Sequence, residues 1–113
     1  MTRKEIKKAD LLAAQKCKDR DNWQCVVCGR GKPEYQVHYH HVIGRNNYSV
    51  RWDLDNLITV CFVHHKEFET NPKRFEWWKE TYPDRYKKVW SSDDKKDKHT
   101  FEEVERELNG TQR

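Results

Sequence analysis

Half of the chain's six histidines fall within four positions, His38, His40 and His41, in the run VHYHHVIGR. Imidazole titrates near neutrality and ligates metals, so such a cluster reads as a metal site, a proton-transfer site or a solvated edge. Two further pairs carry chemistry by their spacing. Cys25 and Cys28 stand as Cys-x-x-Cys, and Cys61 and His64 repeat that spacing as Cys-x-x-His. Each pair is a knuckle, a tight turn that aims two ligands at one point. Two knuckles supply the four donors of a closed tetrahedral zinc site. Because His65 follows His64 directly, spacing alone leaves the fourth donor open between them. The separation of the knuckles, 32 residues, excludes a DNA-reading ββα finger, whose ligand pairs lie about twelve residues apart. Cys17 belongs to neither knuckle and reads as a small apolar residue of the first helix.

Something must hold these groups in place, and the composition limits what that is. The chain has 113 residues, 35% hydrophobic and 37% charged, which predicts one small domain with a thin core. A metal staple would supplement that core, since ion binding adds directly to folding free energy. The net charge of +4 is compatible with a nucleic-acid partner without requiring one. The stretch MTRKEIKKADLLAAQK lacks the apolar run of a signal peptide, and no window approaches a membrane span. The expectation is a cytoplasmic protein with no membrane partner. Thiols stay reduced there, so the cysteines read as ligands or buried thiols rather than disulfides.

The periodicity places the chemistry on elements. Residues 3–20 predict a helix with Ile6, Ala9, Leu12, Ala13 and Lys16 along a narrow stripe, Leu11 beside it, and Asp21-Asn22 ending it. A loop with Gly29, Gly31 and Pro33 carries the first knuckle. QVHYHHVI alternates as a strand, with His38 and His40 on one face and His41 on the other. The polar loop GRNNYSVRWDLD follows, anchored by packing of Trp52 and capping by Asp53. NLITVCF reads as a second strand, and a helix from Val63 carries HHKEFE. Asn71-Pro72 starts another helix, with Phe75 and Trp78 on one face. Pro83 opens DRYKKVW, SSDDKKDK is a charged linker, and TFEEVERELNG is a helix with a Thr100/Glu103 capping box, a Phe101, Val104, Leu108 stripe and Gly110 as its stop. The organisation is one domain over 1–113, with an N-terminal helix in 1–22, a core in 23–70 and C-terminal helices in 71–113.

The ordered pieces CVVCG, HHVIGR, DNLITVC and HHKE resemble the HNH nuclease superfamily across residues 23 to 68, and NPKRFEWWKETYPDRY is similar to helices that follow this module in phage-type members. The resemblance implies an α+β fold, a small ββα-metal (His-Me finger) core with structural zinc and flanking helices. It implies His41 as general base, His40 and His65 as ligands of a catalytic divalent ion (Mg²⁺, Mn²⁺, Ni²⁺ or Zn²⁺), and Asn56 as the residue that fixes the intervening loop. Cys25, Cys28, Cys61 and His64 would hold structural zinc, with His64 standing where the family usually has Cys. Such chemistry needs the second ring nitrogen of His41 oriented by a carbonyl. Arg45 and Lys66 are phosphate-contact candidates or solvated charges. The lysines and arginines of the first helix read equally as a backbone-contacting surface or a solvated face.

The function expected is cleavage or nicking of double-stranded DNA with little sequence specificity. Alongside phage packaging or recombination proteins, it would act in phage DNA processing in the host cytoplasm. Two rivals stand beside it, a catalytically inactive zinc-stabilised DNA-binding module and a zinc-stapled protein-interaction adaptor.

Overall fold

The computed structural model describes residues 1–44, 46, 48–93 and 100–110. Among these residues the order is α1 (Arg3–Arg20), β1 (His38–His41), a 3-10 turn (Leu54–Asn56), β2 (Leu57–Val60), α2 (Phe62–Thr70), α3 (Pro72–Thr81), α4 (Pro83–Asp93) and α5 (Phe101–Gly110). The architecture is a small α+β one, five helices around a two-stranded antiparallel sheet.

Local chemistry sets the helix ends. At the start of α1 the Thr2 hydroxyl accepts from Glu5 N–H at 3.1 Å, and the Glu5 carboxylate accepts from Thr2 N–H at 2.9 Å, a reciprocal capping box. The helix stops at Asp21, after which Asn22 and Trp23 take φ of +58° and +57°, a left-handed pair that reverses the chain. Asn71 caps α3 through its side chain, with Pro72 in the first turn. Thr100 caps α5, its hydroxyl accepting from Glu103 N–H at 3.2 Å. The helix runs to Gly110, and residues 94–99 and 111–113 lie outside the described residues, which takes in most of the expected linker (91–98). Helix α4 outruns its expected end at Trp90, with Ser91 satisfying the Lys88 carbonyl through its hydroxyl.

The register pairs His38 with Val60, Tyr39 with Thr59, His40 with Ile58 and His41 with Leu57. Period-two alternation then divides two cores. Leu57 packs with Ala9, Ala13 and Cys17 of α1, Trp52, and Val104 and Leu108 of α5. Ile58 and Val60 pack on the other face with Cys25, Cys61, Val50, Trp78 and Val89. All four residues of β2 are buried, while β1 is half-buried throughout. The stripe of α1 is carried by Ala9, Ala13 and Cys17; Leu11 points outward and is 64% exposed. Cys17 is the small buried residue expected, and burial pushes its thiol pKa up to about 11.

Polar bolts fix α1 to the sheet. The Asp21 carboxylate accepts from Thr59 N–H at 3.1 Å and from Arg20 Nε and Nη2 at 3.0 and 2.9 Å. Arg20 also donates to the Leu54 and Leu57 carbonyls at 2.6 and 2.7 Å. Strand β1 is shorter than its alternating sequence because Asn56 intercepts it. Val42 N–H still reaches the Asn56 carbonyl, but Ile43 N–H turns to the Asn56 side chain and the chain bends away.

Candidate active site and metal centre

The first knuckle is a turn whose backbone closes on itself. Cys25 N–H donates to the Arg30 carbonyl at 2.7 Å and Gly29 N–H to the Cys25 carbonyl at 2.8 Å. Gly29 has φ +80°, which glycine adopts without strain. A Cβ on Gly31 would lie 2.1 Å from the Trp23 carbonyl oxygen, so only glycine fits that approach. Val26 N–H bonds the Thr59 carbonyl at 2.9 Å, which docks the knuckle on β2. Cys61, the last residue before α2, and His64 in its first turn form the second knuckle.

The four donors converge. Cys25 Sγ lies 3.5 Å and Cys61 Sγ 3.3 Å from His64 Nδ1, and Cys28 Sγ lies 3.8 Å from Cys61 Sγ. All four donor atoms fall within 4.8 Å of one another. Zinc bonds of about 2.3 Å to sulfur and about 2.0 Å to nitrogen in a tetrahedron predict edges of roughly 3.5–3.8 Å. The residues therefore fit a Cys3His zinc site. The geometry resolves the ambiguity of the histidine pair: His64 belongs to this cluster, and His65 points elsewhere.

His65 turns toward β1. Its ring centroid lies 5.2 Å from that of His40 and 5.5 Å from that of His38. Two imidazoles sharing one ion at about 2.0 Å with a tetrahedral angle have centroids roughly 5 Å apart. His40 also packs on Phe68, which meets Trp77 and so forms an apolar wall behind the pair. Burial, followed by the fields of His65 and His41, pushes the His40 pKa down to about 4. Burial lowers that of His65 as well. Both rings are thus neutral at pH 7, the form that binds a cation.

His41 faces the other way, with Tyr39 5.2 Å from it. Its Nε2 lies 3.0 Å from the Arg51 carbonyl oxygen. A carbonyl only accepts, so in the neutral ring Nε2 carries the proton and Nδ1 keeps a lone pair. Asn56 holds the loop that brings this carbonyl. Fully buried, it accepts from Ile43 N–H at 2.7 Å and donates to the Ile43 and Val50 carbonyls at 3.0 and 3.1 Å. Asp53 and Trp52 anchor the same loop as expected, Asp53 accepting from Asp55 N–H at 2.9 Å and Trp52 lying buried against α1. Lys66 is exposed on α2, its amine 5.9 Å from the centre of the Phe62 ring. Arg45 lies outside the described residues.

Two participants escaped the sequence reading. Glu69 is an exposed carboxylate whose field acts on both His40 and His65. It lies four residues beyond His65, one helical turn on the same face, and that spacing was the available signal. The Arg51 carbonyl is a backbone atom and has no side-chain signature.

Residues 25–68 match the family model described as HNH endonuclease. No curated protein and no solved structure matches the chain. The matched stretch runs from the first zinc-cluster cysteine through β1, the clamped loop and β2 to the wall residue Phe68 of α2, so it contains every histidine and cysteine placed above except Cys17. The match over this segment supports membership of the HNH superfamily.

Proposed function

We propose that the protein is a metal-dependent endonuclease that hydrolyses phosphodiester bonds of DNA, with His41 as its general base. The observation that supports this most is the bond between His41 and the Arg51 carbonyl, made one residue from a pair of neutral imidazoles spaced to share an ion. HNH proteins are in general endonucleases acting on DNA, so family and geometry agree.

His40 and His65 would hold the divalent ion, with the Glu69 carboxylate nearby. When bound, such an ion neutralises charge on a non-bridging phosphate oxygen and on the leaving 3′ oxygen. The remaining work belongs to the chain. His41 Nδ1 takes a proton from the attacking water as its oxygen bonds to phosphorus and the bond from phosphorus to the 3′ oxygen breaks. The Arg51 carbonyl then stabilises the imidazolium through the Nε2 proton. The rings of His40 and His41 face opposite sides of β1, but the field of His41 reaches His40, so ligand and base would flank one phosphate at the strand's edge. Asn56 keeps the loop, and with it the carbonyl, in register. The Cys3His cluster would carry structural zinc, which ties the first knuckle to the start of α2. Phage DNA packaging or recombination is the setting that the similarity of residues 71–86 to phage-type members supports.

The test is incubation of supercoiled plasmid with Mg²⁺, Mn²⁺, Ni²⁺ or EDTA. Open-circle or linear product with at least one ion and none with EDTA is expected. His41→Ala should lower cleavage by roughly 100-fold or more while DNA affinity stays unchanged. A protein that binds DNA in a salt-dependent manner but leaves plasmid intact with every ion would be a binding module, and the enzymatic reading would fall.

A further inference from the structure

We propose that Asp10, on α1 and outside the HNH-matched segment, is a positioning residue for His41. The inference rests on the reading of His41 as the base.

The oxygen that accepts the His41 Nε2 proton belongs to the peptide unit joining Arg51 to Trp52. Asp10 grips the side chains on both sides of that unit. Its Oδ1 accepts from Arg51 Nε at 3.0 Å and from Trp52 Nε1 at 2.9 Å, and its Oδ2 accepts from Arg51 Nη2 at 2.7 Å. The Arg51 contact is the two-pronged form in which a guanidinium fork meets a carboxylate in one geometry only. The preceding peptide is pinned too, since Asn56 holds the Val50 carbonyl. Three consecutive residues of an otherwise polar loop are therefore fixed, and the carbonyl between the two gripped side chains can point only one way.

Stability alone does not account for this arrangement. Arg51 is 8% exposed and the Asp10 side chain 21%, and such a part-buried ion pair gives little net stability, because desolvation and solvent screening offset the attraction. What such a pair specifies is a conformation. The conformation specified here is that of the atom that sets the tautomer of the base. Asp10 thus acts on catalysis through Arg51 and Trp52, without touching substrate.

Asp10→Asn keeps the size of the side chain and removes the charge that holds the fork. Steady-state cleavage should show kcat lower by roughly 10- to 100-fold, with KM for DNA within about twofold of wild type. In a His41→Ala background the same substitution should leave the residual rate unchanged. Nitrogen-15 spectra of the histidine rings give a readout independent of activity. His41 should be a pure Nε2–H tautomer in wild type and a mixture in Asp10→Asn. An unchanged kcat, an equal fall in the His41→Ala background, or an unchanged tautomer would each overturn the proposal. Should Asp10→Asn not fold, Trp52→Phe removes one of the three bonds while keeping the packing. It should give a smaller fall in kcat and partial tautomer mixing, and an unaltered tautomer there overturns the proposal equally. If wild type cuts no DNA with any ion, the nuclease reading fails, and the ring spectra still decide whether Asp10 orients His41.

Discussion

At the scale of single residues, the site depends on groups held in one protonation state or one orientation. His40 illustrates the first. Its folded pKa of about 4 lies below the ordinary 6.5, so the native state takes up fewer protons than the unfolded chain between those values. Stability from His40 is therefore fully present above about pH 6.5 and is lost as the pH falls toward 4. Metal-free protein should show a steeper acid-side loss of stability than His40→Asn, measured by denaturant titration at successive pH values. Asn56 illustrates orientation. One amide meets a donor and two carbonyls at once, which only a side chain with both an acceptor and an NH2 can do. Asn56→Asp would set a carboxylate against the carbonyls of Ile43 and Val50. It should destabilise the protein by about 2–4 kcal/mol at neutral pH, read by urea unfolding, and abolish cleavage. The need for a buried amide is visible once the loop is closed and invisible in the letter N of DNLITVC.

At the scale of elements, the knuckles are turns made to converge by something other than their own hydrogen bonds. Cys28 is exposed and α2 buries none of its residues, so apolar packing holds this corner weakly. Chelation of zinc, or Cys61→Ser, should lower the melting temperature markedly and loosen β1, β2 and α2 together, seen as lost amide-exchange protection across residues 38–65. His64→Cys should keep a tetrahedral site and near-wild-type stability, with cobalt spectra shifting to an all-sulfur pattern. Much of this scale was legible in advance. The knuckles have a fixed spacing, the strand alternates, and caps such as Thr100/Glu103 and Asn71-Pro72 have local signatures. The loop between the strands reads from sequence as polar and irregular, with Asn56, Trp52 and Asp53 as its expected anchors but with no sign of Asp10 or of the Arg51 fork. Its order comes from Asp10, Asn56 and Arg51, partners far apart in sequence whose pairing leaves no periodic trace.

At the scale of the whole molecule, the HNH-matched segment is enclosed by helices that the match does not cover. The Leu57 face of the sheet is sealed by α1 and α5, with Leu108 2% exposed and Ala9 fully buried. Leu108→Ala should lower stability by about 2–4 kcal/mol in equilibrium unfolding. If α1 acts as a brace for the loop, cleavage should fall in parallel at temperatures where α5 frays. The net charge of +4 is modest, so DNA affinity should weaken with salt along a shallow slope, measurable by titration between 50 and 200 mM. The thin core expected from composition is present as two small clusters, one on each side of the sheet.

The pairing of α1 with α5 also bears on the order of synthesis. Ribosomes release α1 first, yet its inner side stays bare until Leu57 has been made and then Val104 and Leu108, whole helices later. A nascent chain thus carries Asp10, His41 and Arg51 well before it owns the last helix that seals α1 against the sheet. The grip on the Arg51 carbonyl would then settle into its final frame only as translation passes residue 108.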